Sequence, residues 1–345
     1  MLKYKWMCLA LACCALFAAC EPASVAVDEK TPITLGSGRT HATAMTNANA
    51  LLWGYTQGTN GYWVFAGGET DANGLTEGEN AQYVEDATNG DYLLPAVTRY
   101  WADNQTYNFY SVWPIVPLST VQTVKFNQTN SQLSFSYGSI EQQVDLCVAA
   151  AIGEQGGSNR NTAVNLVYKH MLSKVAFRGY SSIALDAKLT KLEIVVPEGA
   201  TAQFTLTSDT EEGEGKELTA YSYDFTKTDG VINTTTLTKD GTFTLLANPD
   251  KSESIAGTDV AEWLVFPKTI AKDEIKIRAT YLLGDGTDAS NTKTVESTLP
   301  ATTWQPGKRY IYDFYVQPSG PITFGTFSVR DWIDDENNRE EIDLS

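Results

Sequence analysis

A chain of 345 residues with 25 basic and 42 acidic side chains carries a formal charge of −17 at neutral pH. That balance repels nucleic acid, whose binding rests on Lys and Arg neutralising phosphates, and it argues against an anionic membrane surface as a direct partner. The acid is spread along the chain, which favours solubility outside a cell, and the length allows two hydrophobic cores.

Residues 1–19 open with Lys3 and Lys5 and continue as an apolar run, Trp6–Ala19, ending in Phe17-Ala18-Ala19 ahead of Cys20. A basic start, an apolar run and small residues before a cut read as a secretory signal peptide. The run is too short to span a bilayer, which takes about 20 residues. The setting of Cys20 resembles the lipobox of bacterial lipoproteins, which implies cleavage before Cys20 and acyl chains such as palmitate on it. The alternative is an ordinary signal cut near Ala19 or Ala23. Without residues 1–19 the net charge is −19, and apart from Cys20 the single remaining cysteine is Cys147. No intrachain disulfide is then available, so hydrophobic cores hold the fold, with Cys147 expected as a buried, inert thiol.

Residues 20–39 read as a tether followed by a brief strand, Ile33-Thr34-Leu35, and an exposed loop, Gly36-Ser37-Gly38-Arg39. Arg39 is the one Lys or Arg between Lys30 and Arg99. Strand signals follow at Tyr62–Ala66, Tyr107–Trp113, Val121–Phe126, Leu133–Tyr137, Val144–Ala150, Val164–Tyr168 and Lys174–Phe177, separated by turn clusters such as Asp71-Ala72-Asn73-Gly74. Val121 is out of phase with Val124 and Phe126, which predicts a bulge or a weaker edge strand.

The pattern restarts near Gly179-Tyr180-Ser181-Ser182, giving domains at 40–182 and 183–345. The second half offers strands from Leu189–Val196 through Ile275–Leu283 and Lys308–Val316 to Ile322–Ile333. Ile275, Ile277, Ala279 and Tyr281 share one phase, and Tyr310, Tyr312, Phe314 and Val316 repeat it, so each set lies on one side of a sheet. In the last stretch the phase shifts at Gly325-Thr326, predicting a bulge or bend. The fold class is therefore all-β, with two tandem β-sandwiches.

Catalytic and cofactor signals are sparse. His41 and His170 are the two histidines, and neither accompanies a nucleophile elbow or an H-E-x-x-H pair. His170 reads as a structural group near a strand end. A zinc-type site has too few ligands. The Asp71 loop has Thr76 where a calcium loop needs Gly, so it reads as a turn. No phosphate loop occurs. The expectation is a protein that is no enzyme and has no metal or cofactor. Trp53, Trp63, Trp101 and Trp113 could stack on sugars if exposed, or form core.

Four stretches taken in order resemble the fimbrillin family, the subunits of type V pili. These are Phe109-Tyr110-Ser111-Val112-Trp113-Pro114, Tyr168-Lys169-His170-Met171-Leu172-Ser173-Lys174-Val175, Trp304-Gln305-Pro306-Gly307 and Val329-Arg330-Asp331-Trp332. The resemblance implies two transthyretin-like sandwiches, export as an outer-membrane lipoprotein through Cys20, and polymerisation with other pilus subunits by strand exchange. It also implies proteolytic maturation after Arg39, release of the strand holding Ile33 and Leu35, and a donor region that includes Ile322, Phe324, Phe327, Val329 and Trp332. Main-chain pairing and side-chain pockets would hold the donated strand. An ordinary final strand of its own domain is the other reading of Ile322–Trp332. A monomeric glycan-binding or adhesin lipoprotein, meeting a host glycan or protein, is the other reading of the whole.

Overall fold

The computed structural model describes residues 31–38, 49–58, 61–84, 86, 88, 90–115, 121–156, 162–206, 218–252, 254–284 and 291–332. The fold is all-β, as the composition predicts, with a short 3-10 turn at Ile140–Gln142.

The largest sheet runs in the order Val164–Val167, Leu35–Gly38, Tyr92–Pro95, Glu79–Val84, Asn49–Thr56, Thr106–Ile115, Cys147–Gln155 and Lys169–His170, with Trp63–Phe65 added beside Asn49–Thr56. Its two end strands are separated in the chain by Tyr168 alone, so the sheet curls back on itself. Period two explains what it encloses. Ala50, Leu52, Tyr107, Phe109, Trp113, Cys147, Ala149 and Ala151 line an inner core. The intervening Trp53, Tyr55, Tyr110, Val112, Val148 and Ala150 face the other way, into an outer core. These middle strands are buried on both faces and so show continuous apolar runs rather than alternation. That is why the Asn49–Thr56 strand, at the centre of the sheet, carries no strand signal in the sequence.

A five-stranded sheet covers the outer face, in the order Leu218–Phe225, Ala200–Leu206, Gln132–Tyr137, Val121–Asn127 and Leu75–Glu77. Phe126 seats against Tyr110 with ring centroids 4.4 Å apart. The expected bulge near Val121 is present as a register shift between Gln122 and Lys125. This sheet draws strands from both sides of residue 182. Ser173–Ser181 likewise pairs with Thr258–Val265 and, in parallel, with Lys308–Val316. Hydrogen bonding therefore crosses residue 182 in two places.

The remaining strands form two four-stranded sheets. One is Thr258–Val265, Ser173–Ser181, Lys308–Val316 and Thr323–Asp331; the other is Thr234–Leu245, Ala187–Pro197, Lys276–Leu283 and Lys293–Thr298. Phe177, Tyr312 and Phe314 of the first join Leu192, Ile194, Ile277 and Tyr281 of the second in the outer core. Where the halves of the molecule meet, the Phe266 ring contacts Tyr137, Tyr223 and Phe225 at 5.3, 6.0 and 6.0 Å.

Candidate functional site

The first strand is held from both sides. The Ile33 N–H donates to the Arg99 carbonyl at 2.8 Å, and the Trp101 N–H donates to the Thr31 carbonyl at 3.0 Å. Leu35 and Gly36 then pair antiparallel with Leu93 and Tyr92. On the opposite edge, Leu35–Gly38 pairs in parallel with Val164–Val167. The sequence places a loop at Gly36-Ser37-Gly38; the structure corrects this, because the parallel ladder with Val164–Val167 takes in all three residues and the antiparallel one takes in Gly36. The seat does not require glycine at position 36, since an added Cβ would lie 3.5 Å from the Ala163 Cβ, an ordinary contact. Ile33 and Leu35 are 5% and 1% exposed and belong to the inner core with Leu93, Trp101, Val164 and Leu166. Burial of two such side chains stabilises the seated strand by about 3–6 kcal/mol. Its loss leaves two unpaired strand edges and an apolar trough.

Arg99 braces the wall of that trough. Its Nε donates to the Val64 carbonyl at 2.9 Å, one terminal nitrogen donates to the Val97 carbonyl at 3.1 Å, and the other lies 3.5 Å from Glu79. Burial pushes the Glu79 carboxyl above its ordinary range, with the Arg99 charge opposing. Trp101 meets Tyr107 edge to face at 4.9 Å behind it, and burial raises the Tyr107 phenol. Sequence reasoning did not single out Arg99; its one signal is an Arg embedded between Val97 and Trp101.

The last strand differs. Thr323–Asp331 pairs with Lys308–Val316 and stands at the edge of its sheet. The register shifts between Tyr312 and Phe314, so Gly325 and Thr326 oppose Asp313 alone, the bulge the sequence predicts. Arg178 holds Asp313 there with two bonds of 2.7 and 3.1 Å. Ile322 is 3% exposed, and Phe324, Phe327 and Val329 are half-buried against the outer core. Phe327 stacks on Tyr312 at 5.8 Å.

Trp332 ends the strand and is buried. Its N–H donates to the Gly307 carbonyl at 2.9 Å. Its ring lies parallel to His170 at 3.6 Å, and the Lys174 ammonium sits 4.0 Å from the ring centre. Asp145 and Cys147 complete this cluster. The His170 Nδ1 is 2.9 and 3.0 Å from the two Asp145 oxygens and 3.5 Å from the Cys147 sulfur. A nucleophile relay needs the thiol on one ring nitrogen and the carboxylate on the other; here both address the same atom. Three donors of metal-binding type converge, one short of a closed tetrahedral zinc set. The cluster works as a hydrogen-bonded footing for Trp332, with Cys147 fully buried as expected.

Other sequence candidates resolve simply. The Asp71 carboxylate accepts from the Leu75 and Asn73 N–H groups at 3.0 and 2.9 Å and from Lys125 at 3.0 Å, which holds it below its ordinary range. That is a turn, not a calcium loop. Trp53, Trp101 and Trp113 are core and Trp63 is half-buried, so the first-half tryptophans form no exposed row. Cys20, Arg39 and His41 lie outside the described residues.

A family model described as fimbrillin-like matches residues 40–332. A fimbrial protein from Bacteroides vulgatus shares the fold at 15% identity and a TM-score of 0.56, covering 87% of this chain and 99% of that one. A candidate cell adhesion protein from Bacteroides uniformis matches at 13% identity and a TM-score of 0.47, over 87% and 98% of the two chains. The tip fimbrial protein Mfa3 from Porphyromonas gingivalis matches at 9% identity and 0.35, over 87% and 98%. No curated sequence matches significantly.

Proposed function

This chain belongs to the fimbrillin-like family, and we propose that it is a structural subunit of type V pili or related surface fimbriae, assembled by strand exchange and contributing to adhesion. In this reading it is exported as an outer-membrane lipoprotein anchored through Cys20. A protease cuts after Arg39, the segment carrying Ile33 and Leu35 leaves, and another subunit supplies the strand that refills the trough. The two sandwich units meet near residue 182, with the strands Ala200–Leu206 and Leu218–Phe225 lent to the first unit.

The observation that carries the reading is the seating of the first strand: a short segment at the N-terminal end fills a gap between Tyr92–Pro95 and Val164–Val167 and supplies Ile33 and Leu35 to the inner core. A segment so placed can leave and be replaced without changing the order of any other strand, and its vacated edges favour strand addition. Arg39→Ala is expected to give a longer, unpolymerised precursor in the native envelope. Normal polymer ladders from that variant would count against cleavage there. Mass spectrometry of the envelope protein is expected to find acyl groups on Cys20 of the uncut precursor and a new amino end at Thr40 in the cut chain.

A further inference from the structure

Strand pairing brings together three side chains that the sequence keeps apart. Cys147 opens its strand and lies directly opposite His170 in an antiparallel pair, and side chains so placed are close neighbours. Asp145 stands two places ahead of Cys147, the spacing that puts side chains on one side of an extended chain. The Met171 N–H donates to the Leu146 carbonyl at 2.8 Å and clamps the two segments beside the group. The ligand atoms of all three residues lie within 4.8 Å of one another.

Hydrogen bonds alone serve this trio badly. Its Nδ1 carries at most one proton, yet two carboxylate oxygens and a sulfur surround it at 2.9, 3.0 and 3.5 Å. The Asp145 Oδ2 is buried and accepts no hydrogen bond from a described residue. Lone pairs outnumber protons here, and a cation at their meeting point would use them. The spacing suits zinc. Tetrahedral bonds of about 2.0–2.1 Å to nitrogen and about 2.3 Å to sulfur put those two atoms about 3.5 Å apart, the separation found. An oxygen ligand would stand about 3.3 Å from the nitrogen, so the carboxylate would back away slightly as the ion enters.

We propose that Asp145, Cys147 and His170 form a zinc site, with the thiolate, Nδ1 and one carboxylate oxygen as ligands and water in the fourth position. Thiolate and imidazole select zinc over calcium and magnesium, which take oxygen. Thiolate and carboxylate together balance the two charges of the ion, so the site buries no net charge. Binding releases the thiol proton to solvent. The Asp145 side chain is 18% exposed and that of His170 1%, so the ion enters on the carboxylate side, where the water also fits. Bound zinc would fix the ring on which Trp332 stacks and so rivet the end of the last strand to the large sheet. The site stands whether or not subunits exchange strands.

The test uses the mature chain, residues 20–345, with Cys20→Ser so that Cys147 is its sole thiol. Cobalt(II), which reports its ligands by colour, is added first. The expected result is a thiolate-to-cobalt charge-transfer band with the intense visible bands of tetrahedral cobalt, both erased when zinc displaces it. That band requires Cys147, so a weak octahedral spectrum lacking it would overturn the site without recourse to any variant. Zinc affinity is then read by competition with a chromophoric chelator. Cys147→Ser, His170→Gln and Asp145→Asn are each expected to weaken it at least about tenfold. Zinc, but not calcium, is expected to raise the Tm of the parent chain and to leave that of the Cys147→Ser chain unmoved. Equal zinc affinity in those two chains would assign the binding to exposed carboxylates and contradict the proposal.

Discussion

The first and last strands of this molecule carry similar runs, Ile33-Thr34-Leu35-Gly36-Ser37 and Ile322-Thr323-Phe324-Gly325-Thr326, yet are held in opposite ways. Leu35–Gly38 lies inside a sheet with a neighbour on each edge and puts Leu35 wholly into the inner core. Thr323–Asp331 lies at a sheet edge with one neighbour, its ladder interrupted by a bulge, and Trp332 follows it into a stack on His170. The first strand is thus tied down by what surrounds it, and its release requires a cut chain. The last is held by its ladder to one neighbour and by Trp332 at its end. The comparison teaches that position in a sheet, rather than apolar content, decides which segment is structural filling and which is poised to move.

The largest effect that sharpens the contrast is at Leu35. Leu35→Ala empties part of the inner core and should lower stability by about 2–5 kcal/mol in urea unfolding of the uncleaved chain. Val329→Ala on the half-buried last strand should cost about 1 kcal/mol or less. Equal losses would erase the distinction.

Next comes Trp332→Ala, which removes the stack on His170 and the contact with Lys174. A loss of about 3 kcal/mol is expected, confined to the last strand. Amide exchange should rise across Thr323–Asp331 and stay unchanged across Leu35–Gly38. Faster exchange in both would show that the footing braces the whole molecule instead.

Alkaline unfolding probes the partner of the last strand. Burial pushes the Tyr310 phenol up to about 12, its hydroxyl accepting from the Gln305 N–H and donating to the Thr303 carbonyl. Unfolded tyrosines ionise near pH 10 (about). The group's stabilisation is therefore complete below about pH 10 and falls as the pH rises toward the folded value. Tyr310→Phe should flatten that decline, at a loss of about 1 kcal/mol at neutral pH from the missing bonds.

The smallest effect is at Glu274, which belongs to neither strand. Burial raises this carboxyl, but Lys268 and the Ala271 N–H outweigh it and hold the group below its ordinary 4.5. A depressed acid contributes above that value and loses its contribution as the pH falls below it. Glu274→Gln should cost less than about 1 kcal/mol at neutral pH and nothing in strong acid, where both forms are neutral. A change in assembly from this variant would mean that the two strands do not control it alone.

Much of this was legible in the sequence where one face of a strand meets water. Leu133, Phe135 and Tyr137 alternate with half-buried neighbours as their spacing predicts, and the bulges near Val121 and at Gly325-Thr326 follow from broken phase. Legibility failed where both faces are buried, as at Asn49–Thr56, because an apolar run without alternation hides its period. It failed again at Gly36–Gly38, where glycine signals a turn but neighbouring strands impose extension. The His170–Trp332 stack unites residues far apart in the chain; each motif was visible, while their contact is a product of the fold alone.

The most direct test of the central claim, that the first strand must leave its seat for subunits to join, is a reversible lock. Gly36 and Tyr92 are opposed across antiparallel strands at the half-buried surface, and residues so placed are within disulfide reach. A Gly36→Cys, Tyr92→Cys chain cut after Arg39 should remain monomeric when oxidised and form polymers when reduced, as read by sedimentation. Polymer growth at equal rates in both states would contradict the account.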